Sequence, residues 1–530
     1  MKSLIKSKLL NLKVFLFLII FFQVILLLFF INDKASFFCD EIYSYSLANS
    51  QYGHLFPPEG HNTNIKVTDR WISGNFFLKY ICATEKSKFS FTNPYLNNLN
   101  DSHPPLYNCI IHFICSFFPN SFSKWYGYCF NILVFILSQL LLFSISKKIL
   151  KSETYALLTC FIFGCSSISI ECFISIRVYP LLIFIYLLCL KVYLICLDFN
   201  VSIKRFAAIT AVVALGGMTH YHFLVYAFFL TLTFIIICLI KKKYKSFWCM
   251  SFAAILGVIF SISYYPFIFY QFGNSPRAKE AFMLQDRFSP LINGMASVFQ
   301  EFLGLNLTSS LYLTIILITL FTILLVNYLI NNKLTNTDTL ALNLTIISFV
   351  VHSLLIYHTL DFRRFGVFHM FMERYFAPVS STVAILIVAY LAKYRKIQLT
   401  ILVSVLSAIS PFFMLDFSFP SSNPKFSTFK DLGKLLKSNN VIVHCRYPEE
   451  VQTICPYFID ANKIYIDSSS SDNLVLPESY PQSGNTYFIC FNNDKNQIKY
   501  KKVLDGWLWS YGTRYEVYEI DKITKDCDNN

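Results

Sequence analysis

The stretch "LLNLKVFLFLIIFFQVILLLFFINDKASFFCDEIYS" (residues 9–44) carries the two features from which the rest of the chain is read. Its first part is an apolar run, residues 9–31, preceded by Lys2, Lys6 and Lys8. A signal peptide also begins with basic residues, but its apolar core is only about 7–15 residues and ends at small side chains. A run of roughly twenty apolar positions is long enough to cross the hydrocarbon core of a bilayer as a helix. It predicts a retained first membrane helix with its N-terminus in the cytoplasm. The second part sets two adjacent carboxylates, Asp40 and Glu41, just beyond that helix.

The whole chain shares this character. Of its 530 residues, 55% are hydrophobic and 14% charged, and the mean hydropathy is +0.50. A soluble protein of this length could not hide so much apolar surface, so most of its solvent is lipid. The net charge of +14 does not point to nucleic acid. The basic residues fall mainly in short clusters between apolar runs, where the positive-inside rule places them. The sixteen cysteines are scattered, many within apolar runs and without metal-ligand spacing, and read as small hydrophobes.

Hydropathy proposes about eleven spans, near 9–31, 126–146, 154–174, 178–197, 205–218, 220–240, 247–270, 309–330, 339–358, 375–393 and 397–416. A further apolar piece, "PLYNCIIHFICSFF" (105–118), is shorter than a spanning helix needs. If it does not cross, the clusters "SKKILK" (146–151), "IKR" (203–205), "KKKYK" (241–245) and "KYRK" (393–396) all join the N-terminus in the cytoplasm. If it crosses, all four move outside. It is therefore expected to lie along the outer surface. The expected fold is an all-α polytopic membrane bundle (1–417) with this juxtamembrane helix, followed by a small α/β extracytoplasmic domain (418–530). In that tail "FSTFKDLGKLLKS" has helical periodicity, while "NVIVHC", "YFICF" and "RYEVYEI" read as strands.

This layout gathers the chemistry-bearing residues on the outer face. The Asp40–Glu41 pair often does no more than mark a water boundary. Neighbouring residues point in different directions, so the two would not share a proton, and one carboxylate could enter a cavity as a general base. In "HPPLY" (103–107) the prolines are explained by a helix start, but His103 is not. Arg177 in "SIRVYP" (175–180), and Arg363, Arg364 and Arg374 in "DFRRFGVFHMFMERYF" (361–376), stand where the rule disfavours arginine. They could anchor to headgroups, yet guanidinium forks suit phosphate. In "THYHF" (219–223) His220 and His222 are spaced i, i+2, which makes a weak metal site.

The order of these motifs resembles the GT-C class of membrane glycosyltransferases, closest to the protein O-mannosyltransferases and the bacterial aminoarabinose transferase of lipid A. The resemblance rests on "CDEIYS", "HPPLYNCIIHF", "SIRVYP", "THYHF" and "ERYFAPV" in order, and covers roughly residues 1–395. It implies a polyprenyl-phosphate-linked sugar donor and a hydroxyl-bearing acceptor, either a lipid, a surface glycan or a protein. Membrane lipids are the other partners; nucleic acid is not one. Because the leaving lipid phosphate departs as a stable anion, the resemblance implies a base and no general acid. Asp40 would be that base, with Glu41 orienting the loop or the acceptor. Arg177 and Arg374, with Arg363 or Arg364, would hold the leaving phosphate. His103, Tyr107, Tyr179, His220, Tyr221 and Tyr375 would line the substrate site. A direct displacement implies inversion at the sugar. No cofactor is required, and a divalent metal stays an open alternative. The sequence departs from the mannosyltransferases in lacking their large inserted lumenal domain, since loop 271–308 is too short for it. The short loop and the appended domain are more similar to bacterial members, which implies an inner-membrane location with an extracytoplasmic site, or the endoplasmic reticulum in a eukaryote. The alternatives are another polyprenyl-linked glycan enzyme (an O-antigen polymerase or ligase) and a transporter, which would need internal repeats and interrupted helices.

Overall fold

The computed structural model describes residues 2–34, 37–53, 67–101, 103–274, 369–393, 397–414, 429–445, 448–467, 477, 481, 483–491, 501–508 and 513–520. By packing, the chain forms two units. One comprises Met1–Phe30, Asp101–Tyr107 and Tyr128–Leu415; the other comprises Ile31–Asn100, Asn108–Gly127 and Asp416–Asn530.

The first unit is a helical bundle. Its helices are α1 (Lys2–Asp33, whose last turn belongs to the second unit), α6 (Trp125–Leu150), α7 (Glu153–Cys165), α8 (Ser167–Phe173) and α9 (Tyr179–Cys196). They continue with α10 (Ile203–Thr219), α11 (Tyr221–Ile240), α12 (Tyr244–Tyr264), α13 (Ile268–Asn274), α14 (His369–Lys393) and α15 (Ile397–Met414). Helix α9 is the centre of the packing. Apart from Lys191 it carries no charged residue, and it is 72% buried, whereas α1 and α12 are 28% buried. The exposed side of α1 carries Phe15, Phe17, Phe21 and Phe29, while Ile20, Gln23, Leu27 and Phe30 face inward at helical spacing. Gln23 satisfies its amide nitrogen on the Cys160 carbonyl of α7 at 3.0 Å. Helices α10 and α12 approach closely at Gly257, where an added Cβ would lie 2.8 Å from the Thr210 carbonyl oxygen.

Among the described residues, five helices are long and apolar enough to span a membrane, α1, α6, α9, α11 and α12, or six with α7 and α8 taken together. The protein is thus an integral membrane protein, and the described residues show five or six of the eleven expected spans at full length. The expected spans 309–330 and 339–358 lie outside the described residues. Three further expected spans correspond to helices α10, α14 and α15, of 17, 25 and 18 residues. The expected single span 154–174 is broken at Ser166 into α7 and α8, bent by 60°. Ser166 and Ser167 make that bend tolerable, because the Ser167 amide donates to the Ser410 hydroxyl at 3.2 Å.

The second unit is α/β. It holds α2 (Cys39–Asn49), β1 (Trp71–Ser73), α3 (Gly74–Ile81), α4 (Thr92–Asn97) and α5 (Leu106–Cys115, entering from Asn108). The tail adds α16 (Phe429–Leu436), β2 (Asn440–His444), α17 (Pro448–Ile454), β3 (Lys463–Asp467), β4 (Thr486–Phe491), β5 (Lys501–Leu508) and β6 (Thr513–Ile520). The sheet order is β1-β3-β2-β4-β6-β5, with β3, β2 and β4 parallel and the remaining pairs antiparallel. Its register aligns Trp71, Tyr465, Ile442, Phe488 and Tyr518 in one cross-strand row, so these side chains share a face and build its core. Strand β1 comes from the loop after the first span. It is followed at once by Gly74, where a Cβ would stand 2.5 Å from three backbone carbonyls, those of Phe458, Ile459 and Ala461. Helix α5 has ten residues, so it rises about 15 Å, half the thickness of a hydrocarbon core.

Candidate functional site

Among the described residues, chemistry-bearing side chains gather in both units. In the second unit the cluster is built on α2. Its N-cap is Phe38, in extended geometry, and the Glu41 carboxylate reaches back to accept from the Phe38 amide at 2.8 Å, as in a capping box. The same oxygen, Glu41 Oε2, accepts from Lys34 Nζ at 2.6 Å. Both side chains are shut away from solvent, at 2% exposure for Lys34 and 0% for Glu41. Asp40 occupies the first turn of the same helix and is only half-buried. The two carboxylates thus part company, as their adjacency predicts: Glu41 is spent on structure and Asp40 faces a different environment. Both carboxylates stand at the positive end of the helix dipole.

Lys124 adds a second cation. Its ammonium donates to the Ile31 carbonyl at 3.2 Å and sits 5.6 Å from the Trp125 ring centre. Burial lowers the Lys124 pKa, the neighbouring Lys34 charge lowers it further, and Glu41 partly offsets both.

The far end of α2 is pinned as well. Asn49 donates to the Ile81 carbonyl at 3.0 Å, and its Oδ1 lies 2.9 Å from His112 Nδ1. The other nitrogen of that ring, Nε2, is 3.1 Å from the Ser87 carbonyl. Burial pushes the His112 pKa down, and the carbonyl bonds pull partway back. Asn97 caps the last carbonyls of α2, donating to Leu47 at 3.2 Å and Ser50 at 3.0 Å.

In the first unit the cluster gathers at the start of α11. His220 caps that helix, its Nδ1 accepting from the His222 amide at 3.1 Å. A neutral ring held this way carries its proton on Nε2. The His103 ring lies 4.9 Å from it, edge to face, and the Tyr179 ring 6.2 Å away. His103 Nδ1 is 3.1 Å from Asp101 Oδ2, which fixes the tautomer of that ring in turn. Arg177 is buried in the turn between α8 and α9. That turn is held from α6 by Asn131, which donates to the Phe173 carbonyl at 3.1 Å and the Ser175 carbonyl at 2.8 Å. The Tyr221 hydroxyl bonds Gln271 Oε1. The Tyr107 ring packs 6.2 Å from Phe130.

Of the residues singled out by sequence, His103, Tyr179 and His220 come together, with Arg177 and Tyr221 adjoining them in the chain. Asp40 and Glu41 belong to the second unit, and Tyr107 makes a separate contact. Arg374 and Tyr375 lie on α14, with their side chains outside the description, and Arg363 and Arg364 lie outside the described residues. Among the described residues no three His, Cys, Asp or Glu side chains are grouped to hold a metal ion. Sequence reasoning passed over Lys34, Asp101, His112 and Lys124. Lys34 and Asp101 carry a signal in hindsight: each is a charge a few residues from a motif that was singled out. His112 is the last residue but one of the quoted motif "HPPLYNCIIHF", a histidine inside an apolar helix.

Compared with solved structures, the chain matches the crystal structure of ArnT from Cupriavidus metallidurans bound to undecaprenyl phosphate, at 9% identity. The match covers 94% of this chain and 97% of that one, with a TM-score of 0.55. The apo-state structure of the same protein matches over 90% and 96% of the two chains, at 11% identity and a TM-score of 0.46. No family model and no curated protein matches. At such identity the likeness is one of fold. The chain shares the fold of that membrane protein over 94% of its length, where the motif order implied a GT-C-like fold for roughly residues 1–395.

Proposed function

We propose that the protein is a membrane glycosyltransferase that moves a sugar from a polyprenyl-phosphate donor to a hydroxyl acceptor. The observation that carries this reading is the fold it shares with ArnT, whose structure holds undecaprenyl phosphate. The local geometry of α2 supports it. Glu41 is engaged by Lys34 and the Phe38 amide, and Asp40, half-buried in the same first turn, is the carboxylate that takes the proton. The acceptor oxygen attacks the anomeric carbon as its proton passes to Asp40, and the bond from that carbon to the phosphate oxygen breaks. The leaving group is the lipid phosphate, an anion that needs no protonation. The sugar is inverted. Arg177 binds the phosphate and offsets its charge, with Arg374 and Arg363 or Arg364 in support. His103, Tyr107, Tyr179, His220, Tyr221 and Tyr375 line the sugar and acceptor sites. No metal or other cofactor is needed. The acceptor is a lipid or a surface glycan, and transfer takes place on the extracytoplasmic face, because that topology leaves the four basic clusters in the cytoplasm.

The test is to present the detergent-purified protein with a panel of undecaprenyl-phosphate-linked hexoses and pentoses, together with lipid and glycan acceptors, and to measure acceptor-dependent release of undecaprenyl phosphate. The broken span α7–α8 is the feature that favours the second reading, a transporter. Donor movement across proteoliposomes without any cleavage would select it.

A further inference from the structure

Two buried charges that neither bind solvent nor pack as well as apolar groups call for a reason. Taking an ion pair out of water costs several kcal/mol per ion, and the pairing rarely returns more than that. Lys34 and Glu41 form such a pair, and a Met–Leu pair of similar size would fold at least as well. What the ion pair does, and an apolar pair could not, is fix one oxygen in space. Glu41 Oε2 sits 2.6 Å from Lys34 Nζ and 2.8 Å from the Phe38 amide. Those two bonds define the start of α2 and therefore the direction in which its first turn presents side chains. Asp40 lies in that turn, between the cap and Glu41. Lys34 follows the first span directly, so the tether joins the residue leaving α1 to the residues that begin α2. The partner is lysine acting as a point charge, with Lys124 close enough to feel both ends of the pair.

We propose that Lys34 is a positioning residue for transfer, acting through Glu41 to hold the first turn of α2 and with it the Asp40 carboxylate. It touches neither substrate nor reacting atoms. This rests on the reading of Asp40 as the base. Misplacing a catalytic group by about 1 Å costs on the order of 10²-fold in rate. Lys34→Met should therefore lower kcat for release of undecaprenyl phosphate by about that factor, with KM for the donor changed less than about threefold. Lys34→Arg, which keeps a cation, should recover most of the loss.

Cys39 is a built-in reporter, since it begins α2 and is 3% exposed. Site-resolved alkylation by mass spectrometry should show Cys39 reacting at least about tenfold faster in K34M, while Cys455, fully buried in the tail, stays protected. The double variant K34M/E41Q removes both charges and leaves an amide oxygen to cap Phe38. It should regain Cys39 protection and turnover to within about tenfold of wild type, an outcome impossible if Glu41 were the base.

The controls separate the two readings. Loss of turnover in D40N together with wild-type turnover and Cys39 protection in K34M overturns the role of Lys34 alone. Wild-type turnover in D40N removes the base reading itself, and the proposal with it. If K34M also exposes Cys455, K34M/E41Q decides: restored turnover supports the tether, and lost turnover with Cys39 protected overturns it.

Discussion

His112→Ala should loosen α2 from its far end, and the size of the effect follows from the contacts of that ring. The imidazole is fully buried, with its two nitrogens 2.9 Å from Asn49 Oδ1 and 3.1 Å from the Ser87 carbonyl. Asn49 cannot turn its amide to compensate, because its nitrogen is committed to the Ile81 carbonyl. Removal leaves at least one buried acceptor without its donor, a cost of about 1–3 kcal/mol. The void left by the ring adds a comparable amount. A total of roughly 3 kcal/mol corresponds to a local opening constant larger by about 10²-fold, since 1.4 kcal/mol is tenfold. Amide exchange in a lipid nanodisc, read over residues 39–49 and 112–120, should be faster by about that factor, and exchange in α9 should not change. The wild type should also lose protection at the same amides as pH falls. Burial lowers the pKa of His112, so the closed state binds fewer protons than the open one. The stabilising contribution is then full above the ordinary histidine value of about 6.5 and declines below it. The Phe91 ring packs against the imidazole, whose partner Asn49 also bonds the Cys115 thiol, which lies near Cys82. Burial raises both thiols, Cys115 to about 12, so neither titrates in that window. H112A should lack the pH dependence. Unchanged exchange in H112A, within about threefold, would refute the reasoning.

Further outcomes are open to the same kind of check. Arg177→Ala should weaken binding of undecaprenyl phosphate by about 1.5–3 kcal/mol, roughly 10- to 150-fold in Kd, as for any lost charge-assisted bond to an anion; equal affinity in a nanodisc titration would make Arg177 a headgroup anchor. Gly74→Ala should destabilise the packing of β1 and α3 against the turn at 458–461, because the new Cβ meets three carbonyl oxygens that cannot move aside singly. Overpacking of this kind costs about 1–3 kcal/mol, and amide exchange over residues 71–81 should accelerate accordingly. Asp467→Ala removes the carboxylate 2.9 Å from His444 Nδ1, where both side chains are buried, and should cost about 1.5–3 kcal/mol, seen as faster alkylation of Cys445 and Cys490.

What could be read in advance and what could not divides along physical lines. The first span, helix α16 and strands β2, β4 and β6 were legible, because each is a local run whose period or length suffices. The shortness of α5 was legible for the same reason. Strand β1 was not: three residues carry no alternation, and its pairing of Trp71 with Tyr465 depends on a partner far along the chain. The break at Ser166 was not, because serine is a weak breaker and only the bend exposes it. Of the eleven crossings that hydropathy proposed, the described residues show five or six at full length. At the site, the carboxylate pair stood out, but the division of labour within it needed Lys34, a lone cation with no motif of its own. The meeting of His103, Tyr179 and His220 likewise needed the fold, as they come from three separate segments.

The most direct measurement is the single-turnover rate of Asp40→Asn at saturating donor, beside Glu41→Gln. Asn keeps the shape of the side chain and cannot take a proton, and a general base contributes roughly 10²–10⁴-fold. The expected result is a loss in the upper part of that range for D40N, with undecaprenyl phosphate still bound, and a smaller loss for E41Q. Near-normal turnover in both variants would contradict the account, and the pair would then mark only the edge of the membrane.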